Sequence, residues 1–302
     1  MKTMRESLNI RTFKHYIWNA LNYTISGITY ISPKLNTQIR YKMAHGVFPN
    51  LRKPTTFCEK LCWLKLYKYM KNPLVIQCAD KYKVREYVQE KGCGNLLNEM
   101  YHVFNSADEI SLENLPEKFV MKWNFGAGKN FICKDKSQYT QEEVIDMFNK
   151  WEKDKCWLPY SELQYKYIRR KIVCEKYLED DLNSNALPDY KVYCFHGVPL
   201  VTLVILNRGL DVRAEFYDQN WNAIHNPKYK KPEHDVKKPL CYKQMMESAK
   251  ILSEPFPFVR VDFYVVNGQL FFGELTFTPA GGIYTSQVEV HGKDMTEYLH
   301  IS

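Results

Sequence analysis

Asp262 and Glu274 are the residues whose types and spacing most invite chemistry. They lie in FPFVRVDFYVVNGQLFFGELTFTPAGG, from Phe256 to Gly282. The stretch reads as two strands joined by a turn at Asn267-Gly268, rich in Val, Phe and Tyr as half-buried strands are. Period-2 geometry sets Arg260, Asp262 and Tyr264 on one face, and Phe272, Glu274 and Thr276 on one face of the return strand. The turn decides whether the two acids meet. A two-residue loop at Asn267-Gly268 sets Asp262 opposite Gly273 and sends Glu274 to the other side. A three- or five-residue loop with a bulge joins the acids on one face, and that arrangement is expected here. Two acids and an arginine amid aromatic residues are costly to bury unpaired, and a divalent cation held by carboxylate oxygens relieves the cost. A solvated hairpin face with a surface Arg–Asp pair accounts for the same residues about as well. The Thr278-Pro279-Ala280-Gly281-Gly282 run favours the ligand reading, because a Gly-Gly loop lets backbone N–H groups approach a ligand closely.

A second constellation lies upstream. Leu115 to Lys122 reads as a short apolar strand ending on a lysine. Trp123 to Asn130 follows, with Gly126, Ala127, Gly128 and Lys129 at its centre, then a second strand at Phe131 to Cys133. Strand, Gly-rich loop, strand can form a flap whose N–H groups wrap phosphate oxygens while a lysine supplies charge. It is not a Walker loop, since GxxxxGK[ST] does not fit and a strand follows. By itself the loop is weak evidence, because tight hairpins also use glycine. Lys81 and Lys83 fall in the first turn of a helix predicted to open near Asp80. Cations there oppose the helix dipole, so a nearby anion would rationalise them, although a solvated face does as well.

These groups need elements to hold them. Thr56-Phe57-Cys58-Glu59 fits a capping box, with Leu61 and Leu64 continuing an apolar face and Asn72-Pro73 as its stop. The helix near Asp80 turns Val84, Tyr87 and Val88 inward and ends at Gly92. Gln141 to Trp151 reads as a helix. Strand signals follow at Tyr165 to Ile168 and Lys171 to Leu178, then a hairpin of Asp189 to Phe195 and Pro199 to Leu206 about His196-Gly197. Tyr242 to Leu252 is a helix leading back to the acidic hairpin. Near the N-terminus Tyr16, Ile17, Trp18 and Leu21 give a ragged helical stripe. An interfacial membrane helix and a helix packed on the core both explain it, and the second is the commoner cause.

Composition narrows the class. The chain has 302 residues, 45% hydrophobic and 15% aromatic, which suits a folded protein with a real core rather than a disordered one. No apolar run reaches the length of a membrane-spanning helix, and the polar N-terminus lacks a signal peptide's apolar core. Nine cysteines without a CxxC pair argue against zinc and against a disulfide framework, and point to reduced thiols in the cytoplasm. A net charge of +8 favours an anionic partner: nucleotide, acidic glycan or membrane surface. The basic clusters are short and no nucleic-acid-binding motif accompanies them, so nucleic acid is not expected as a partner.

Taken in order, the segments resemble the ATP-grasp superfamily, and within it the TupA-like branch, named for teichuronopeptide biosynthesis. Arg260-Val261-Asp262-Phe263, Glu274-Leu275-Thr276 and Pro279-Ala280-Gly281-Gly282 are similar to the metal-binding segment of D-alanine–D-alanine ligase-like enzymes. Ala79 to Arg85, Phe119 to Lys122 with its glycine loop, Ile172 to Glu175, Asp189 to Lys191, and Phe216 to Asp218 with Trp221 match as well. Each motif is modest, while their order over roughly residues 55 to 290 is fairly specific. The resemblance implies an α+β ATP-grasp fold: a small flap lobe (115–178) and a larger C-terminal lobe (179–302) sandwiching ATP, after a largely helical region (1–114). It implies that Lys122 and Lys81 contact the nucleotide. Gly126, Ala127, Gly128 and Lys129 would form the phosphate flap, and Glu175, Lys176 and Leu178 the adenine and ribose hinge. Lys191 would contact phosphate, Arg260 would stabilise an oxyanion, and Asp262, Glu274 and Thr276 would hold Mg²⁺. Thr276 departs from the family pattern, which has Asn there. A hydroxyl is a poorer cation ligand than an amide carbonyl, which weakens a second metal position.

The function so implied is ATP- and Mg²⁺-dependent carboxylate–amine ligation, joining an amine or amino acid to a uronic acid of a surface polysaccharide or its precursor. Peripheral membrane contact through residues 1–50 would bring the enzyme to the inner face of the membrane. A glycosyltransferase is the rival enzyme, but no Asp-x-Asp motif is present. A non-catalytic glycan- or membrane-binding scaffold is the third reading.

Overall fold

The computed structural model describes residues 19–180 and 187–301. Tyr16, Ile17 and Trp18 of the N-terminal stripe lie outside them. Two antiparallel sheets carry the architecture. The smaller joins β1 (Met100–Phe104), β2 (Phe119–Trp123), β3 (Asn130–Cys133) and β4 (Ile172–Lys176) in the order β1-β4-β2-β3. The larger joins β5 (Asp189–Phe195), β6 (Val198–Leu206), β7 (Arg213–Asp218), β8 (Ala223–Ile224), β9 (Phe258–Val266) and β10 (Gln269–Thr276) in the order β10-β9-β5-β6-β7-β8. The helical stretch 19–28 (α1) and Pro33–His45 (α2) precede the helices α3 (Phe57–Leu64), α4 (Pro73–Ala79), α5 (Val84–Glu90), α6 (Gln141–Glu152) and α7 (Tyr242–Ser253), which share one core with both sheets.

Strand alternation sorts the faces. In β2, Phe119, Met121 and Trp123 are buried while Val120 and Lys122 are only partly so. Trp123 donates its indole N–H to the Phe148 carbonyl of α6, so a large aromatic is buried with its one donor satisfied. Val144 and Phe148 form the inward stripe of α6, capped by the reciprocal Thr140–Glu143 box. In the larger sheet, α7 lays Met245, Ala249 and Leu252 on β5, β6 and β9, and the Cys194 thiol of β5 meets the Ala249 carbonyl. Val192 and Cys194 thus face the helix, while Asp189, Lys191 and Tyr193 alternate to the opposite face. β5 is buried at all seven positions, so its charged residues are buried too.

Several elements differ from the sequence reading. Asn72-Pro73 stops one helix and also starts α4. Asn72 caps it through Leu74 and Val75 N–H, and proline at the first position gives up no intrahelical bond. Tyr165 to Ile168 is not a strand: a 3₁₀ turn spans Leu163–Tyr167. β1 goes unrecognised in the sequence because its pairing partner, β4, lies some seventy residues downstream.

The acidic hairpin corrects the expected loop. Val266 pairs with Gln269, so the turn is the two-residue one, with Asn267 and Gly268 both at positive φ. The register then slips further along: Phe272 pairs with Phe263, but Glu274 pairs with Asp262. Gly273 is the extra residue. The acids share a face because of a bulge inside the strand, not because of a longer loop. A Cβ at Gly273 would sit 3.0 Å from the Asp262 carbonyl oxygen, tight enough to explain a residue with no side chain there.

Candidate active site

The bulge and the β5–β9 register assemble one charged face. Lys191 is opposite Asp262, and Tyr193 is opposite Arg260. Arg260 grips Asp262 with two bonds, Nε to Oδ1 at 2.6 Å and Nη2 to Oδ2 at 2.7 Å. Lys191 Nζ donates to Asp262 Oδ2 at 2.5 Å. Arg260 also donates to the Thr276 hydroxyl at 3.0 Å, and that hydroxyl donates to Glu274 Oε1 at 3.1 Å. Thr276 therefore serves as a bridge from the arginine to the second acid. Lys81 Nζ lies 3.6 Å from the other oxygen of Glu274 and donates to the Gly126 carbonyl of the flap.

Electrostatics follow the geometry. Burial opposes ionisation of Glu274, yet Lys81, Lys191 and Arg260 with the Thr276 hydroxyl hold its carboxyl down at about 2. Burial also disfavours the Arg260 charge, but Asp262 and Glu274 outweigh it and keep the guanidinium firmly protonated. Asp189 moves the other way: burial raises it, only partly offset by Lys191 and Arg208. Arg208 Nε approaches Asp189 Oδ2 at 2.8 Å, but neither carboxylate oxygen has a well-aligned hydrogen bond. Lys191 Nζ lies 3.5 Å from the same oxygen, so Asp189 meets both cations as charges.

A cavity of about 370 Å³ opens beside this face. Lys81, Lys122, Glu175, Lys176, Leu178 and Arg208 line it, with Val120, Ile132, Leu187 and Phe272 as apolar walls. An apolar slot with a few converging cations suits a base attached to phosphates. Lys122 Nζ sits 2.8 Å from Glu175 Oε2, and Arg85 approaches the other oxygen at 3.6 Å. A larger groove of about 840 Å³ near Leu240 and Lys243 contains none of the candidate residues.

The flap is tied at its root. Asn124, fully buried, donates to the Asp80 carboxylate at 2.8 Å and accepts from the Lys171 N–H, and its carbonyl takes the Lys81 N–H. Asp80 in turn accepts from the Tyr82 and Lys83 N–H groups. This knot sets Lys81 between the flap and Glu274. Gly126 is buried with φ +67, and Ala127 and Gly128 are exposed. Lys129 is turned away from the cavity onto Asp154 and the Trp151 carbonyl. Of the residues named for the flap, its side chain alone is engaged elsewhere.

Sequence reasoning passed over Asp80, Arg85, Asn124, Asp189 and Arg208 as site residues. Asp189 carried a signal, standing two residues before Lys191 on the same strand face. Arg208 lies just past β6 and carries no local signal.

Hard carboxylate oxygens on one face fit Mg²⁺, which takes one or two protein carboxylates and leaves its other positions to water and phosphate. Among the described residues no cluster of three or more His, Cys, Asp or Glu side chains offers a closed metal cage. Asp262 and Glu274 would be the protein's share of such a site.

The TupA-like ATP-grasp profile matches residues 59–294. The chain belongs to that family, and its fold is the α+β ATP-grasp fold. Among solved structures it is similar to D-alanine–D-alanine ligase from Bacillus anthracis, at 17% identity and a TM-score of 0.40, over 67% of this chain and 57% of that one. L-amino acid ligase from Bacillus licheniformis shows 14% identity and a TM-score of 0.40, over 69% and 43%. D-alanyl-alanine synthetase A from Vibrio cholerae shows 8% identity and a TM-score of 0.42, over 80% and 65%. The chain spans less than two thirds of each of these proteins. A search of curated protein sequences found no match.

Proposed function

We propose that the protein is an ATP- and Mg²⁺-dependent carboxylate–amine ligase. One observation carries the reading: the bulge at Gly273 sets Glu274 opposite Asp262, on the face that also holds Lys191 and Arg260 and adjoins the Lys81–Lys122–Glu175 cavity. Val120, Ile132 and Leu178 would hold the base, with Lys176 and Glu175 at the sugar. Lys122 would exchange Glu175 for nucleotide phosphate, and Lys81 would join the flap to the same phosphates. Mg²⁺, held by Asp262 and Glu274, would supply charge neutralisation to the β- and γ-oxygens.

The chemistry balances with these parts. The substrate carboxylate attacks the γ-phosphorus and ADP departs, leaving an acyl phosphate. The amine nitrogen then attacks the acyl carbon, phosphate leaves and the nitrogen gives up a proton. Lys191 would steady the transferring phosphoryl oxygens, and Arg260 would face the oxyanion of the second step. The flap over Gly126 to Gly128 would exclude water from the acyl phosphate.

For the acceptor we propose a uronic acid of a bacterial surface polysaccharide or its lipid-linked precursor, met in the cytoplasm at the inner face of the membrane. The family name supports this. Peripheral contact through the first 50 residues fits a lipid-linked substrate. The test is a turnover screen of amino acids against uronate-containing acceptors. ADP and phosphate release that needs both a carboxylate and an amine, with the amide seen by mass spectrometry, is expected. Release of UDP or GDP from a sugar nucleotide without ATP use would overturn the reading in favour of a glycosyltransferase.

A further inference from the structure

Helix α2 (Pro33–His45) is amphipathic the wrong way round for a helix packed on its own core. Its buried residues are Asn36, Thr37, Arg40 and Tyr41. Leu35 and Met43, four residues either side of the partly exposed Ile39, face outward at 46% and 39% exposure. Ile31 precedes the helix at 90% exposure, and Val47 and Phe48 follow it at 62% and 56%. The orientation is fixed from behind. Asn36 donates to the Ile25 carbonyl and accepts from Ser161, and Arg40 reaches the Asn22 carbonyl and the Ser26 hydroxyl on the helical stretch 19–28. Rolling the helix to hide Leu35 and Met43 would strand those polar groups. The apolar stripe is therefore held outward, and exposed apolar side chains at helical spacing mark a contact surface.

Charge identifies what covers it. Residues 7–58 contain seven Lys and Arg and no Asp or Glu, whereas residues 59–302 contain 33 of each sign. Seven of the chain's eight net positive charges thus sit in the stretch that carries α2. Lys34 and Lys42 flank the stripe on the helix, and the Lys42 ammonium lies 4.4 Å from the centroid of the Phe48 ring. A second copy of the chain would bring the Lys34 and Lys42 of two faces together, with no acid in residues 7–58 to pair them. A bilayer rich in anionic headgroups attracts this face and accepts its apolar side chains. No described helix is long and apolar enough to cross a membrane.

We propose that α2 and the Val47-Phe48 segment form a docking face for an anionic phospholipid bilayer, with Leu35, Met43 and Phe48 entering the headgroup boundary and Lys34 and Lys42 meeting phosphate. This rests on the membrane-contact part of the function proposed above and not on ligation, and its test needs no turnover. Full-length protein is floated, without nucleotide, with vesicles of phosphatidylcholine alone or mixed with phosphatidylglycerol. Binding to the mixed vesicles that weakens with salt is expected, and roughly tenfold less for the combined Leu35→Gln, Met43→Gln, Phe48→Gln variant. Lys34→Gln with Lys42→Gln should also weaken binding and flatten its salt dependence, and this second pair keeps the test open if the apolar variant folds poorly. Equal binding to both vesicle types overturns the proposal, as does absence of binding or undiminished binding by both variants. A wild-type dimer in sedimentation velocity that the apolar variant dissolves also overturns it, because a second copy then covers the face.

Discussion

Asp262 is held by three charged bonds, and that crowding sets what its removal should do. Asp262→Ala leaves Arg260 and Lys191 with Glu274 and Asp189 as their remaining counter-charges, so nucleotide phosphate retains cations to meet. Lys122→Ala removes a cation from the cavity wall and leaves Glu175, only 12% exposed, without its closest partner. Either Asp262→Ala or Glu274→Ala is therefore expected to abolish turnover, while Mg·ATP binding weakens less in Asp262→Ala than in Lys122→Ala. Calorimetric titration gives the order directly, and the reverse order would remove Lys122 from the phosphate site. Glycines make a second comparison. Gly281 has φ +69, and a Cβ there would lie 2.5 Å from the Tyr160 ring; Gly268 has φ +80 with open space around it. Gly268→Ala carries only the left-handed backbone penalty, about 1–2 kcal/mol. Gly281→Ala adds a clash with a ring, so its melting temperature should fall further. Equal losses would show that Tyr160 moves aside freely.

At the scale of elements, Glu59 joins a helix start to the loop before it. Its carboxylate accepts from the N–H groups of Asn50, Thr55 and Thr56 and from the Thr55 hydroxyl. Burial pushes this carboxyl up, but those donors together outweigh it and hold it below the usual glutamate range. A carboxyl held low in the folded state stabilises above the ordinary glutamate pKa of about 4.5, and loses that contribution as pH falls toward its folded value. Glu59→Gln should cost about 1–3 kcal/mol near neutrality, as loss of bonds to a charged acceptor does. The gap from wild type should narrow below about pH 4.5. Denaturant melts at neutral and acid pH measure both, and a gap that stays constant with pH would show that the charge does not matter.

For the whole molecule, the proposed nucleotide, seated between the flap and the larger sheet, would bind the folded chain alone. Mg·ATP at a hundred times its dissociation constant should add about 2.7 kcal/mol of stability and raise the melting temperature. Lys122→Ala should show little shift at the same concentration, and chelating the metal should reduce the wild-type shift. A wild-type shift that survives chelation unchanged would separate nucleotide binding from the Asp262–Glu274 face.

Much of this was legible in the residues themselves. The Thr56–Glu59 capping box, the place of the Asn267-Gly268 turn though not its length, and the period-2 faces of β9 depend on side chains a few positions apart, where hydrogen bonds and period fix the outcome. So do the positions of Lys122, Lys191, Asp262 and Glu274 on strands, and the glycine loop between β2 and β3. The tertiary structure alone decided which of them meet. The meeting of Glu274 with Asp262 depends on a one-residue bulge at Gly273, and a slip of one residue sends every side chain beyond it to the other face. The pairing of Lys191 with Asp262 and of Lys122 with Glu175, and the turning of Lys129 onto Asp154, follow from strand order and helix packing across tens of residues. Local pattern sets what each strand is, and long-range register sets what it faces.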